Sequence, residues 1–250
     1  MEDDVYSEFL LLEQTHWWFT GRRKIFFTLI NKFLNEQRTL KILDVGCGPG
    51  EMIEHLSSYG IVTASDLSIK ALSFCVKRGY NRLFIGDGGI LPIKNETFDF
   101  VTLFDTLEHV DDDVEVLRES NRVLKTNGMI IITLPAYNLL YSDNDRAAHH
   151  KRRYTVSEIK KKAILAKFDV LKATYINTLL FPPIFCILML IKIKEFFFPQ
   201  KNPDKTNISF AIPKLVNSIL ESIFCFESHL LKKISFPFGH SLVCLARKRK

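Results

Sequence analysis

The chain reads as an α/β protein built on a mostly parallel sheet, and two observations carry that reading. Short apolar runs alternate with helical patterns from residue 39 to residue 175, an order that calls for right-handed βαβ crossovers. Three successive runs end in a glycine bend or an acid, at Gly46, Asp66 and Asp87. That places these groups at the carboxyl edge of the sheet, where open α/β sheets receive ligands.

In chain order, residues 5–12 and 22–34 space their apolar side chains by three and four and read as two helices ahead of the sheet. Between them Trp17 and Trp18 stand close to Arg22 and Arg23, either as a lid over a ligand mouth or as a helix packed on the core. Strands follow at 39–45, 61–65, 82–85, 98–104 and 129–134. Residues 111–124 open on acids and close on Arg122 and Lys125, which suits a helix dipole, with Asn127 and Gly128 as the stop. A capping box, TVSE at 155–158, starts a further helix at Val156. Residues 168–175 and 240–247 are the last strand candidates.

About sixty residues separate those two strands, too apolar for a disordered loop. Residues 173–191 carry no charge, Pro182 and Pro183 are expected to interrupt them, and residues 179–191 fall short of the roughly 20 that a spanning helix needs. Lys192 and Lys194 precede Phe196, Phe197 and Phe198, and residues 215–231 repeat the mix of apolar face and flanking lysines. Such segments lie in a headgroup plane, or else cover the sheet edge as added core or a dimer surface.

The most specific stretch is ILDVGCGPGEM at residues 42–52. Gly46, Gly48 and Gly50 let the backbone turn sharply against a ligand. Glu51 occupies the place of a dinucleotide fingerprint's third glycine, and Asp44 adds a carboxylate before the bend. Acids there repel phosphates and suit an ammonium or a sulfonium. Asp66, twenty positions after Gly46, can accept both hydroxyls of a ribose.

Residues 40–175, with the strand near 241–247, resemble a class I S-adenosylmethionine-dependent methyltransferase of the type 11-like subgroup. LDVGCGPG is similar to that family's first motif, SDLS to its ribose acid, GDGGILPIKNETFDFV to its adenine-side segment, and FDTLEHVDD with RVLKTNGMIIITLPA to its fourth and fifth strands. The resemblance implies a Rossmann-like seven-stranded sheet, mostly parallel with an antiparallel edge strand, with S-adenosylmethionine as cofactor. It implies a cofactor site of Asp44, Gly46, Cys47, Gly48, Gly50, Asp66, Leu67, Asp87, Gly88, Phe104 and Asp105. HWWFTGRR, HHKRRYT and PFGHSLVCLARK also resemble small methyltransferases of cell-surface glycan or lipid pathways.

One domain over 1–250 is expected: a helical cap at 1–38, a core at 39–176 and 240–247, and an apolar, basic helical insertion at 177–239. Five scattered cysteines without a CxxC pair suggest neither a disulfide framework nor a metal site, and the acidic start shows no export signal. A cytoplasmic protein is expected, peripheral at the inner face of a membrane if the insertion binds anionic lipid. The net charge of +6 is unevenly spread: residues 1–150 hold 15 Lys and Arg against 22 Asp and Glu, and residues 151–250 hold 19 against 6.

Methyl transfer from a sulfonium needs alignment first, and a base only where the nucleophile carries a proton. His109, His149 and His150 are the candidate bases, His109 being readable also, and more readily, as a tie for its loop. Trp18, Arg22, Arg152, Arg153 and Tyr154 are the candidate acceptor residues, although the run at 149–154 also reads as a solvated loop with Tyr154 turned inward. No [DNS]PP[YF] element for a flipped base follows the fourth strand, and no Pro-Cys pair is present, so nucleic acid is the poorer acceptor. A small or lipid-linked acceptor is expected. RNA methylation, favoured by the basic C-terminal hundred residues, and cofactor binding without catalysis stand as alternatives; oligomeric state stays open.

Overall fold

A computed structural model describes residues 12–34, 39–197 and 212–249. The helix expected over 5–12 lies outside the described residues save for Leu12, and so does Phe198. The chain forms two compact units, Met1–Phe33 with Pro135–Thr155 and Thr174–Leu242, and Leu34–Leu134 with Val156–Ala173 and Val243–Lys250.

The sheet has seven strands: β1 (Leu40–Val45), β2 (Gly60–Asp66), β3 (Leu83–Ile85), β4 (Phe98–Phe104), β5 (Leu124–Pro135), β6 (Phe168–Ile176) and β7 (Ser241–Lys248). Their order is β3-β2-β1-β4-β5-β7-β6, mostly parallel with antiparallel strands, as expected. Ahead of them in sequence stands α1 (Trp17–Phe33), and between them α2 (Glu51–Leu56), α3 (Ile69–Lys77), α4 (Asp113–Val123), α5 (Asp143–Ala147), α6 (Val156–Leu165), α7 (Phe181–Phe197) and α8 (Lys214–Leu231).

β1 lies between β2 and β4, both parallel to it, and only Lys41 of its six residues is exposed. Every residue of β4 is buried. Such buried, largely apolar central strands are what a sheet covered on both faces requires. Two helices start on side-chain caps: Ser68 Oγ accepts from the Ala71 N–H at 3.2 Å, and Asp112 Oδ1 accepts from the Glu115 N–H at 3.0 Å.

Two local expectations are corrected. α4 ends at Val123 and β5 begins at Leu124, so Asn127 and Gly128 lie inside a strand rather than after a helix. The cause is a register shift: Leu124 pairs with Phe98, the next pair is Met129 with Phe100, and Asn127 takes a positive φ of 65° in the extra length between. Pro182 and Pro183 do not interrupt α7; they occupy its first turn, where backbone N–H groups have no intrahelical partner to lose.

Within the first unit, α1 packs on α8. Gly21 sits beneath Phe224, where an added Cβ would stand 2.4 Å from Cδ1, and Trp18 stacks on the same ring at 5.6 Å. The Trp17 N–H donates to Asn217 Oδ1 at 2.9 Å, and Asn217 Nδ2 donates to the Thr15 carbonyl at 2.9 Å. The tryptophan pair is thus part of a packed helix. α7 differs: Pro183, Cys186, Ile187, Leu190, Ile193 and Phe197 form an exposed stripe at helical spacing. Among the described residues no helix is long and apolar enough to cross a membrane.

Candidate functional site

In the second unit, the strand β1 runs into a loop whose three glycines all take positive φ: 73° at Gly46, 54° at Gly48 and 86° at Gly50. Their surroundings differ. A Cβ at Gly46 would meet Thr106 Cγ2 at 2.6 Å, one at Gly50 would meet Cys75 Sγ at 2.9 Å, and one at Gly48 would meet nothing within 4 Å. Gly46 and Gly50 are therefore close-packed, while Gly48 faces open space.

The acid ending β2 is tied to that open point. Asp66 Oδ2 accepts from the Gly48 N–H at 2.9 Å and Oδ1 accepts from the Ser68 N–H at 2.8 Å. Each oxygen has further lone-pair capacity, so the carboxylate is aimed but not saturated. Behind the loop, Asp44 is buried and accepts from Thr102 Oγ1 at 2.6 Å. Burial pushes its carboxyl up to about 7 against the Thr102 hydrogen bond, and the charges of Asp66 and Glu51 push the same way. The donor set is thus negative, which fits a cationic ligand better than a polyphosphate.

At the end of β4, Phe104 is buried and Asp105 takes a φ of 50°, a conformation that costs a non-glycine residue energy. Thr133 holds it there: its Oγ1 donates to Asp105 Oδ1 at 2.9 Å, and the Asp105 N–H donates to the Thr133 carbonyl at 3.1 Å. Past β3, Asp87 is exposed and accepts from the Gly89 N–H at 2.9 Å; Gly88 lies against Val45 and Val116. Leu67 is exposed, and Cys47 is buried beneath the loop.

Sequence reasoning missed the brace of this side. Arg122 was legible only as a cation at a helix end. Its Nη1 donates to the Ile93 carbonyl and to Asn95 Oδ1, each at 2.7 Å, and its Nη2 donates to the Leu91 carbonyl at 3.0 Å. Glu119 holds the guanidinium at 2.7 Å and accepts from the Leu91 N–H at 2.9 Å. Together they fasten residues 91–95 to α4.

The remaining candidates divide between the units. His109, half-buried, belongs to the second unit, in a 3-10 turn at Leu107–His109. His149, His150, Arg152, Arg153 and Tyr154 belong to the first. There His150 and Arg153 converge on Asp145. His150 Nδ1 lies 2.9 Å from Asp145 Oδ1, and Arg153 donates from Nε and Nη2 at 2.8 Å each to the two oxygens. Burial alone would raise the Asp145 carboxyl, but the His150 and Arg153 contacts overcome it and hold it well below the usual carboxylate range. Arg153 is buried in this pair and Tyr154 in the core, while His149 is exposed at a φ of 57°. Trp18 meets the His240 ring edge-on at 5.2 Å, and Arg22 lies over Phe26 at 5.4 Å.

Comparison with known proteins matches residues 43–132 to the family described as "Methyltransferase domain". A demethylmenaquinone methyltransferase of Staphylococcus aureus is 32% identical over 135 residues, covering 48% of this chain and 56% of the relative. Its counterpart in Staphylococcus epidermidis is 31% identical over the same length and shares. The chain thus spans about half the length of the curated relatives it matches. Among solved structures, a SAM-dependent methyltransferase from Thermotoga maritima is similar with a TM-score of 0.60 at 16% identity, covering 98% of this chain and 96% of that one. One from Archaeoglobus fulgidus has a TM-score of 0.59 at 18% identity, covering 96% and 99%. At such identities these two speak for the fold.

Proposed function

We propose that this chain, which belongs to the class I S-adenosylmethionine-dependent methyltransferases, transfers a methyl group from that cofactor to a small or lipid-linked acceptor. When bound, S-adenosylmethionine supplies a methyl group already activated on a sulfonium. The chain's own residues hold and orient. The loop from Gly46 to Gly50 lies under the methionyl part, Gly48 leaving the room. Asp66, fixed by two backbone N–H groups, takes the ribose hydroxyls, and Asp87 with the segment braced by Arg122 faces the adenine. Asp66 and Glu51 supply the negative field for a cation, and Asp44 adds to it as it loses its proton near pH 7.

The observation that carries the acceptor class is the exposed stripe of α7, with Leu190 67% and Phe197 68% exposed. Lys192 and Lys194 lie on the same helix, so an anionic lipid surface is the occupant its chemistry fits. The matched relatives named for demethylmenaquinone support the same direction. Where the acceptor carries a proton, His150 is the base we favour. Asp145 beside Nδ1 fixes the orientation of the ring.

The test is to supply S-adenosylmethionine labelled on its methyl group with a total lipid extract and, separately, with total RNA. Label entering the solvent-extractable fraction is expected, at a rate lowered at least about tenfold in His150→Ala with cofactor affinity kept. Label in RNA would overturn the acceptor class, and bound cofactor with no transfer would make the chain a binder.

A further inference from the structure

We propose that Cys47 and Cys75 form a reversible disulfide site beneath the glycine loop, closed by a hydroperoxide and opposed by bound cofactor. Cys47 stands between two glycines of the loop, and Cys75 in the last turns of α3; both are buried. Their sulfurs converge on one carbonyl oxygen, that of Gly48, at 3.6 Å from Cys47 Sγ and 3.3 Å from Cys75 Sγ. The two thiols lie near enough to influence each other's ionisation. The other three cysteines take no part: Cys186 is exposed, Cys225 half-buried and Cys244 buried in β7.

The chemistry of the pair is asymmetric. Cys75 is the readier thiolate, its thiol drawn down by the neighbouring Cys47 thiol and by Arg78, whose Nη1 lies 3.4 Å from the Pro49 carbonyl. The Cys75 sulfur attacks the terminal hydroxyl oxygen of the hydroperoxide, forming S–O and breaking O–O, and the alkoxide leaves as the alcohol with the proton given up by the Cys75 thiol. The Cys47 sulfur then attacks this sulfenic sulfur, forming S–S and breaking S–O, and the hydroxide leaves as water with the Cys47 proton. Two thiols and one hydroperoxide give one disulfide, one alcohol and one water. Cys75 is fully buried and Cys47 only 8% exposed, so the oxidant reaches the pair when the loop opens locally.

Closure has a price in geometry. An S–S bond of about 2 Å draws both sulfurs off the Gly48 carbonyl, and the same residue's N–H is the group that orients Asp66. Cys75 also packs against Gly50, so the whole bend shifts when its sulfur moves. That the shift costs cofactor affinity, and that bound cofactor shields the pair, rests on the cofactor reading given above.

The experiment uses the full chain with Cys186→Ser and Cys225→Ser, treated with tert-butyl hydroperoxide. Peptide mapping is expected to join Cys47 to Cys75. Calorimetric affinity for S-adenosylmethionine is expected to fall at least about tenfold, a change of about 1.4 kcal/mol, and to return with dithiothreitol; prior saturation with cofactor should prevent the cross-link. Cys75→Ala and the near-isosteric Cys75→Ser should each show the same affinity before and after peroxide. Absence of the cross-linked peptide overturns the site, and a cross-link that leaves affinity unchanged overturns its effect. A mapped cross-link in a chain that never bound the cofactor would uphold the disulfide and sink the cofactor reading instead.

Discussion

A Cβ at Gly46 would stand 2.6 Å from Thr106, whereas one at Gly48 meets nothing within 4 Å, so the two glycines predict different variants. Both replacements carry left-handed strain of roughly 1–3 kcal/mol. Gly46→Ala adds the clash and should show a lowered urea midpoint as its main effect. Gly48→Val should keep its circular dichroism and lose the heat of cofactor binding; unchanged affinity would remove the loop from the site. Asp44 gives a pH signature. Its carboxyl is pushed up to about 7 by burial, so in the folded chain it keeps a proton that the unfolded chain has already lost above about pH 4. Its stabilising contribution is therefore present below that pH and is lost as the pH rises to about 7. Asp44→Asn, which retains an oxygen for Thr102, should gain stability over the parent across that window. A gap between the two urea midpoints that is constant from about pH 4 to about pH 8 would refute the assignment. Asp44, Asp66 and the glycines were legible in the sequence because a strand end and its bend are local. Their supports were not: Thr102 is 58 positions from Asp44, Thr106 61 from Val45 and Cys75 27 from Gly48. Only the fold brings them near.

At the scale of elements, strands and helices declared themselves wherever period and length agreed. β4 spans the residues expected of it, and α6 starts at Val156 behind the capping box. The errors fell where one residue type serves two ends: Asn127 and Gly128 stop a helix as readily as they fill a strand bulge, and prolines break a helix or begin one. α4 shows a further thing that periodicity hides, since its exposed-looking Arg122 is a clamp on residues 91–95. Arg122→Lys keeps the charge at the helix end but gives up the planar fork. The expected outcome is a cofactor dissociation constant raised about three- to tenfold, roughly the net worth of one ordinary hydrogen bond, with the turnover rate at saturating cofactor little changed. Equal affinities in variant and parent would show that the segment it braces lies away from the cofactor.

At the scale of the whole molecule, charge and apolar exposure have to be weighed together. The last hundred residues carry 19 basic against 6 acidic side chains, and α7 and α8 of that stretch expose Ile187, Leu190, Ile193, Leu215, Ile219 and Phe226. Lysines alone would be drawn to RNA and to anionic lipid alike, and salt would screen both. Apolar side chains separate the two, because their contribution to binding a bilayer survives high salt while a purely electrostatic complex does not. Binding to phosphatidylglycerol vesicles should thus weaken, without vanishing, as salt rises from about 0.05 M to about 0.5 M. Leu190→Glu combined with Ile193→Glu should abolish the salt-resistant part and leave thermal stability within about 0.5 kcal/mol per site, since both positions face outward. A parent chain that fails to float with vesicles of any composition would end the lipid-surface reading. Flotation that high salt removes completely would leave the lysines as its sole cause and return α7 to the role of an unexplained apolar face.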